Sequence, residues 1–162
     1  MLNLVAYVVS VSAFVGPMDV NQDYLKNAEW AIGEWSREQV AEEDRNIFKK
    51  GDPVRLEWRF AWTTNKNALT VNNFIKAKGE TTGQLDALFG WDKSRQQIIG
   101  AGFATDGAAG IGWKLTLEVD QLTVTTGNVK WVFKKLDKDR MSLTYTDGSV
   151  VTFDRVKKKQ VL

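Results

Sequence analysis

Histidine and cysteine are both absent from this 162-residue sequence. Their absence removes the Ser-His-Asp and Cys-His nucleophile pairs, zinc sites of the usual ligand types and histidine-ligated haem. It also removes disulfides as a source of stability while leaving every redox compartment open. Strong charge of either sign is missing as well: 22 basic residues stand against 20 acidic ones, for a net charge of +2. So balanced a chain carries no electrostatic footprint for nucleic acid or for an anionic membrane. The apolar stretch Leu2 to Val15 stops at Gly16 and Pro17, short of the roughly 20 residues that a membrane-spanning helix needs. Binding is therefore a better expectation than catalysis. The expected catalytic residues, metal ligands and cofactors are none.

Hydrophobic content of 43% with charged content of 26% is ordinary for one soluble globular domain. The first 16 residues stand apart from it. Leu2 to Val15 carry no charge, and Val11, Ser12 and Ala13 supply a small-residue cleavage site, which together resemble the core of a secretory signal. A signal peptide should begin with Lys or Arg, yet the first basic residue is Lys26. Two readings follow: residues 1–16 are a truncated signal peptide of a secreted or periplasmic protein, or they are an apolar element of a cytoplasmic one. The first is the expectation.

What the chain has in quantity is tryptophan, 7 residues of it, most of them in strand-like segments. A short helix is expected over Val20 to Ile32, where Tyr24, Leu25, Ala28 and Ile32 recur at helical spacing behind Asn21 or Asp23 as cap. Gly33 ends it, and a first strand begins near Trp35 and runs into the charged stretch Glu42 to Arg45, read as a solvated hairpin end. From Val54 to Thr63 the alternation puts Val54, Leu56, Trp58, Phe60 and Trp62 on one face and Arg55, Glu57 and Arg59 on the other. Further strand patterns follow at Leu69–Ala77, Gln84–Trp91, Gln97–Phe103, Gly110–Glu118, Leu122–Thr125, Val129–Leu136, Met141–Tyr145 and Val150–Val156. Turns such as Lys78-Gly79, Val119-Asp120, Gly127-Asn128 and Asp147-Gly148 separate them. Connections this short exclude parallel pairing. The pattern predicts an all-β, antiparallel up-and-down barrel of about eight to ten strands, because closure removes the two exposed edges of a long meander.

Inward aromatics make up the candidate site: Trp58, Phe60, Trp62, Phe89, Trp91, Phe103, Trp113, Trp131 and Tyr145, with Phe133 beside them. They either line a cavity for a small apolar ligand or simply fill the core. Asn73, Gln97 and Tyr145 would orient a ligand if they point inside, and a one-residue slip of register would turn them out. Gly100, Gly102, Gly110 and Gly112 predict strong curvature or rings laid across bare backbone. The carboxylates left for acid/base chemistry are Glu57, Asp86, Asp92 and Asp154, with Arg59, Arg95 or Tyr145 as partners. The closing Lys157 to Lys159 run reads as a solvated tail.

The segment Trp30-Ala31-Ile32-Gly33-Glu34-Trp35 resembles the G-x-W signature of the lipocalin and calycin families. Downstream, Gly90-Trp91-Asp92, the strand Gln97 to Phe103 and then Gly107, Gly110, Gly112 and Trp113 are similar to a bacterial lipocalin-like domain of unknown function, in its stand-alone form. The resemblance covers Asn21 to Lys158, the expected barrel domain. It implies a barrel with Trp35 as a plug at one end; the expected partner, from the inward aromatics, is a small hydrophobic ligand, and the chain is expected to be a monomer or homodimer with no stable membrane insertion. Haem binding does not carry over, because the calycins that bind haem do so through a histidine.

Overall fold

The computed structural model describes residues 23–45, 47–104 and 109–157. The apolar segment 1–16, the cap residue Asn21 and the last two lysines of the tail lie outside them. Ten strands make the fold: β1 Gly33–Val40, β2 Pro53–Trp62, β3 Ala68–Ala77, β4 Glu80–Asp92, β5 Gln97–Ala104, β6 Ala109–Glu118, β7 Gln121–Thr126, β8 Val129–Lys135, β9 Arg140–Thr144 and β10 Val150–Arg155. Each pairs with its neighbour in sequence, and β10 returns to β1, so the chain is a closed antiparallel up-and-down barrel. This is the expected architecture, with boundaries within a few residues of the sequence pattern. The largest departure is β4, which begins at Glu80 rather than near Gln84. A register shift opposite Asn73 and Phe74 lets the strand absorb Gln84 as an extra residue and continue.

Alternation decides which side chains go inside. On β2, Val54, Trp58 and Phe60 are buried and Leu56 and Trp62 are half-buried, while Arg59 is exposed. Glu57 departs from the expected solvent face: it points outward yet is only 7% exposed. Arg55 at 2.9 Å and Lys76 at 2.7 Å close over its carboxylate from either side, their aliphatic stems covering what the sheet leaves bare.

The expected short N-terminal helix is present, and its described part runs as α1 Asp23–Lys26 followed by a 3-10 turn Glu29–Ala31. The linking bonds, Ala28 N–H to Leu25 O and Ala31 N–H to Ala28 O, both span three residues. A three-residue repeat stacks every third side chain on one line. Leu25, Ala28 and Ala31 are accordingly all buried on the barrel end.

The two ends of the barrel differ. One holds the start of β1, the end of β10 and the helical segment; the other holds the long β1–β2 connection and the turns that open β4, β8 and β10. At the helical end Trp35 is fully buried, and its indole N–H donates to Ala31 O at 2.7 Å. The structure thus places Trp35 as the expected plug.

Several turns are held by aspartates. Asp92 Oδ1 accepts from Ser94 N–H and Oγ–H, and Asp147 Oδ1 does the same from Ser149. Asp137 accepts from Asp139 N–H and Arg140. These hydrogen bonds, led by the Ser94, Ser149 and Arg140 side chains, hold the three carboxyls below their ordinary value of 3.8. A carboxyl whose folded pKa is depressed adds stability above its unfolded pKa and loses it as the pH falls through the folded one. The melting temperature should therefore be level just above pH 4 and drop as the pH falls below 3.8. A melting temperature that rises on acidification would contradict this assignment.

Candidate functional site

The middle of the barrel is filled with rings. Trp58 meets Phe133 edge-on at 4.9 Å and Trp131 at 6.0 Å, Phe60 meets Phe133 at 5.3 Å, and Trp113 meets Trp131 at 6.1 Å and Phe89 at 6.3 Å. The space between Trp58, Phe89, Trp113, Trp131 and Phe133 has no room for a water molecule. Such tilted and edge-to-face contacts suit the ring quadrupoles and add to the burial of large apolar area. Glycine makes the arrangement fit. A Cβ at Gly102 would lie 2.8 Å from the Trp113 ring, and at Gly110 it would collide with the indole nitrogen itself. The expected ring laid across bare backbone is thus Trp113, spanning the paired Gly102 and Gly110.

The sequence-predicted site residues therefore fall into separate places. Trp58, Phe60, Phe89, Trp113 and Trp131 pack together in the filled interior. Trp62 and Trp91 sit at the helical end. There the Trp62 indole N–H donates to Glu29 at 3.0 Å, and Trp91 stacks on Tyr24 at 3.7 Å. Phe103 is on the outer face, 61% exposed. The reason is register: β5 turns Ile98 and Gly102 inward, the latter beneath Trp113, so Phe103 must face out opposite Asp86. Gln97, one residue before the inward Ile98, faces out beside the Asp92 turn. Tyr145 and Asn73, by contrast, both line a cavity.

That cavity, about 720 Å³, occupies the end of the barrel away from the helix. Its apolar wall is a second small core of Ala41, Phe48, Val54 and Ile75, with Leu56 packed against it. Its polar groups come from strand ends and loops: Gln39, Asn73, Gln84 and Tyr145 on the walls, with Glu42, Glu43, Arg45, Asp147 and Ser149 at the mouth. Asn73 is opposite Trp58 on the inward face and marks the floor; its amide donates to Glu57 O at 2.9 Å. The extra residue of β4, Gln84, reaches the mouth and accepts a hydrogen bond from Arg45. Arg45 also pairs with Glu43 at 2.7 Å. The charged stretch read as a solvated hairpin end is thus both exposed and part of the cavity rim.

Burial pushes the Tyr145 hydroxyl above its usual pKa, the charge of Arg37 works against that rise, and Asp147 adds to it. The carboxylates considered for catalysis lie elsewhere. Glu57 is clamped by Arg55 and Lys76, Asp86 accepts from Asn72 on the outer face, and Asp92 holds its own turn. Asp154 pairs across strands with Ser36 and Arg140. Arg59 is engaged with Glu34 at 3.0 Å and Arg95 with Asp92.

Sequence reasoning missed Gln39, Phe48, Leu56, Ile75 and Val151 as cavity residues. Their inward positions on strands were legible for Leu56 and Ile75. Which end of the barrel stays unfilled was not, because that depends on the combined reach of rings from several strands. No protein-family model matches the chain, and no curated protein matches it. The closed ten-stranded barrel is compatible with a lipocalin-like fold. No helix among the described residues is long and apolar enough to cross a membrane.

Proposed function

We propose that the protein is a non-catalytic, lipocalin-like carrier or receptor for one small, largely apolar molecule, held in the cavity at the end opposite the helix. The observation that carries this reading is the cavity itself. Its volume of about 720 Å³ falls within the roughly 300–1,000 Å³ of small-molecule sites, and its lining joins an apolar wall of Phe48, Val54, Leu56 and Ile75 to a polar, charged mouth. The contacts come from Phe48, Val54, Leu56, Ile75 and Tyr145, with the packed aromatics beneath serving as a rigid floor. The uncharged N-terminal segment supports an exported setting. A second reading is favoured by the filled aromatic interior: a structural or interaction barrel that needs no ligand.

A thermal-shift screen with lipophiles separates the two. A ligand at about 100 times its Kd adds about 2.7 kcal/mol to the folded state, a readily measured rise in melting temperature. Val151→Trp, which places a large ring at the cavity wall, should fold and lose that rise. If no lipophile stabilises the protein, and protein purified from its own source carries no small molecule in native mass spectrometry, the structural reading stands.

A further inference from the structure

The outer face of the barrel changes character around its circumference. On β1 to β3 it is laced with ion pairs, Glu34 with Arg59 at 3.0 Å and Glu57 with Arg55 at 2.9 Å and Lys76 at 2.7 Å. On β4 to β6 the same face is apolar. Leu88 lies opposite Ala101, Ala101 opposite Ile111 and Phe103 opposite Ala109, with Ile99 one outward position along β5. Ile111 is 90% exposed, Phe103 61% and Leu88 50%. Single apolar side chains on a surface are ordinary, whereas a contiguous group of them marks a face that meets something other than water.

A bulge completes this face. Gly112 is an extra residue where the β5–β6 register shifts opposite Gly100 and Ala101, and its φ is +81°. In an unbroken strand Ile111 and Trp113 would share one side of the sheet. The extra residue re-aims them, so that Ile111 stands in solvent while Trp113 is buried in the interior.

Two charges border the apolar group at opposite corners, and neither is neutralised. Asp86, on β4 level with Phe103, accepts from the Asn72 amide and has no cation within ion-pair distance among the described residues. Lys114, on β6 level with Ile99, is exposed and likewise has no acid. Between the corners runs the row Leu88, Ala101, Ile111. A two-fold axis lying in the plane of the face, at a right angle to the line from Asp86 to Lys114 and through its midpoint, sets Asp86 of one copy on Lys114 of the other and, by the same operation, the reverse. The apolar rows then cover each other at the centre and the polar groups form the rim, the ordinary anatomy of a protein interface.

We propose that the outer face of β4 to β6 is a homodimer interface, occupied by a second copy of this chain, centred on Leu88, Ala101 and Ile111 and oriented by reciprocal Asp86–Lys114 pairs. The inference is independent of the ligand reading, because the cavity lies on the inner side of the sheet.

Sedimentation velocity of the full chain over a range of concentrations tests it, and the unaltered protein should pass from monomer to dimer. Ile111→Glu, at a position exposed enough to leave the circular dichroism and melting temperature of the monomer unchanged, should raise the dissociation constant about a hundredfold or more, because the symmetry buries the new charge twice. Phe103→Ser should weaken the dimer in the same direction. Asp86→Lys and Lys114→Asp should each weaken association about tenfold by setting like charges together. The double reversal Asp86→Lys, Lys114→Asp should restore it, which a merely structural effect of either substitution would not do. A monomer at millimolar concentration overturns the proposal, and if that monomer binds uncharged phosphatidylcholine vesicles through Ile111, the face belongs to a lipid surface instead. A dimer that survives Ile111→Glu uses another face and overturns it too. Single reversals that leave the dimer intact, or a double reversal that stays weak, overturn the two-fold arrangement.

Discussion

Trp35→Ala should lower the stability of the protein by about 3 to 5 kcal/mol, the usual cost of emptying a large buried ring from a core. In a chain of this size that is a fall in melting temperature of roughly 6 to 20 °C. Three separate contacts meet at this ring. It is fully buried, it caps the helical end beneath Leu25, Ala28 and Ala31, and its N–H satisfies Ala31 O. Trp35 is also one of the two β1 residues that pair with β10, so a cavity there loosens the closure of the barrel as well as its end. Trp35→Phe should recover part of the loss by refilling the space, without restoring the bond to Ala31. Chemical denaturation with circular dichroism as the readout decides it; an unchanged midpoint for Trp35→Ala would refute the plug role.

Arg155→Leu should cost about 3 kcal/mol or more, although the residue is only half-buried. Hydrogen bonds from a charged donor contribute about 1.5 to 3 kcal/mol each, and the guanidinium makes three, to Trp30 O, Ile32 O and Lys138 O. Its carbon lies 4.1 Å from the centroid of the Trp35 ring, a cation–π contact. Leucine would keep the apolar cover but leave the carbonyls of the 3-10 segment without donors. Arg155→Lys should recover little, since an ammonium cannot reach three carbonyls in the plane that the fork spans. The double variant Trp35→Ala, Arg155→Leu should lose less than the sum of the single losses, because the two side chains share one contact. Strict additivity would show that the ring and the cation act independently.

The same contact explains Gly33. A Cβ there would lie 2.7 Å from the Arg155 guanidinium, and the backbone has φ of +131°. Both the space and the conformation call for glycine. The sequence pattern Gly33-x-Trp35 pointed to this end of the barrel, whereas Arg155, more than a hundred residues away, carried no signal that it completes the arrangement.

Much of the architecture was legible because its causes are local. A two-residue period on β2, repeated between turns such as Lys78-Gly79 and Asp147-Gly148, dictates short antiparallel strands, and short antiparallel strands in number must close or leave edges. The plug role of Trp35 came from the resemblance of Gly33-x-Trp35 to the lipocalin signature, and the glycines of β5 and β6 announced a ring over bare backbone without saying that it is Trp113. The pitch of the helical segment was not readable, because Leu25, Ala28 and Ala31 satisfy a helical pattern nearly as well as a three-residue one, and only docking on the barrel end selects between them.

The site was decided by tertiary structure. Sequence periodicity tells which residues share a face but not which face is the inner one, and it misassigned Phe103 because β5 turns Ile98 and Gly102 inward and so Phe103 outward. It says nothing about how far a ring reaches across a closed sheet. Trp58, Trp113, Trp131 and Phe133 come from strands far apart in the chain and meet only on closure, filling the middle and leaving the space at one end. The pairing of β1 with β10 stops at Ser36, so beyond it β1 has β2 alone beside it, a closure set by strands more than a hundred residues apart. Charge pairing and cavity volume are sums over contacts between distant segments, and no single stretch of sequence carries them.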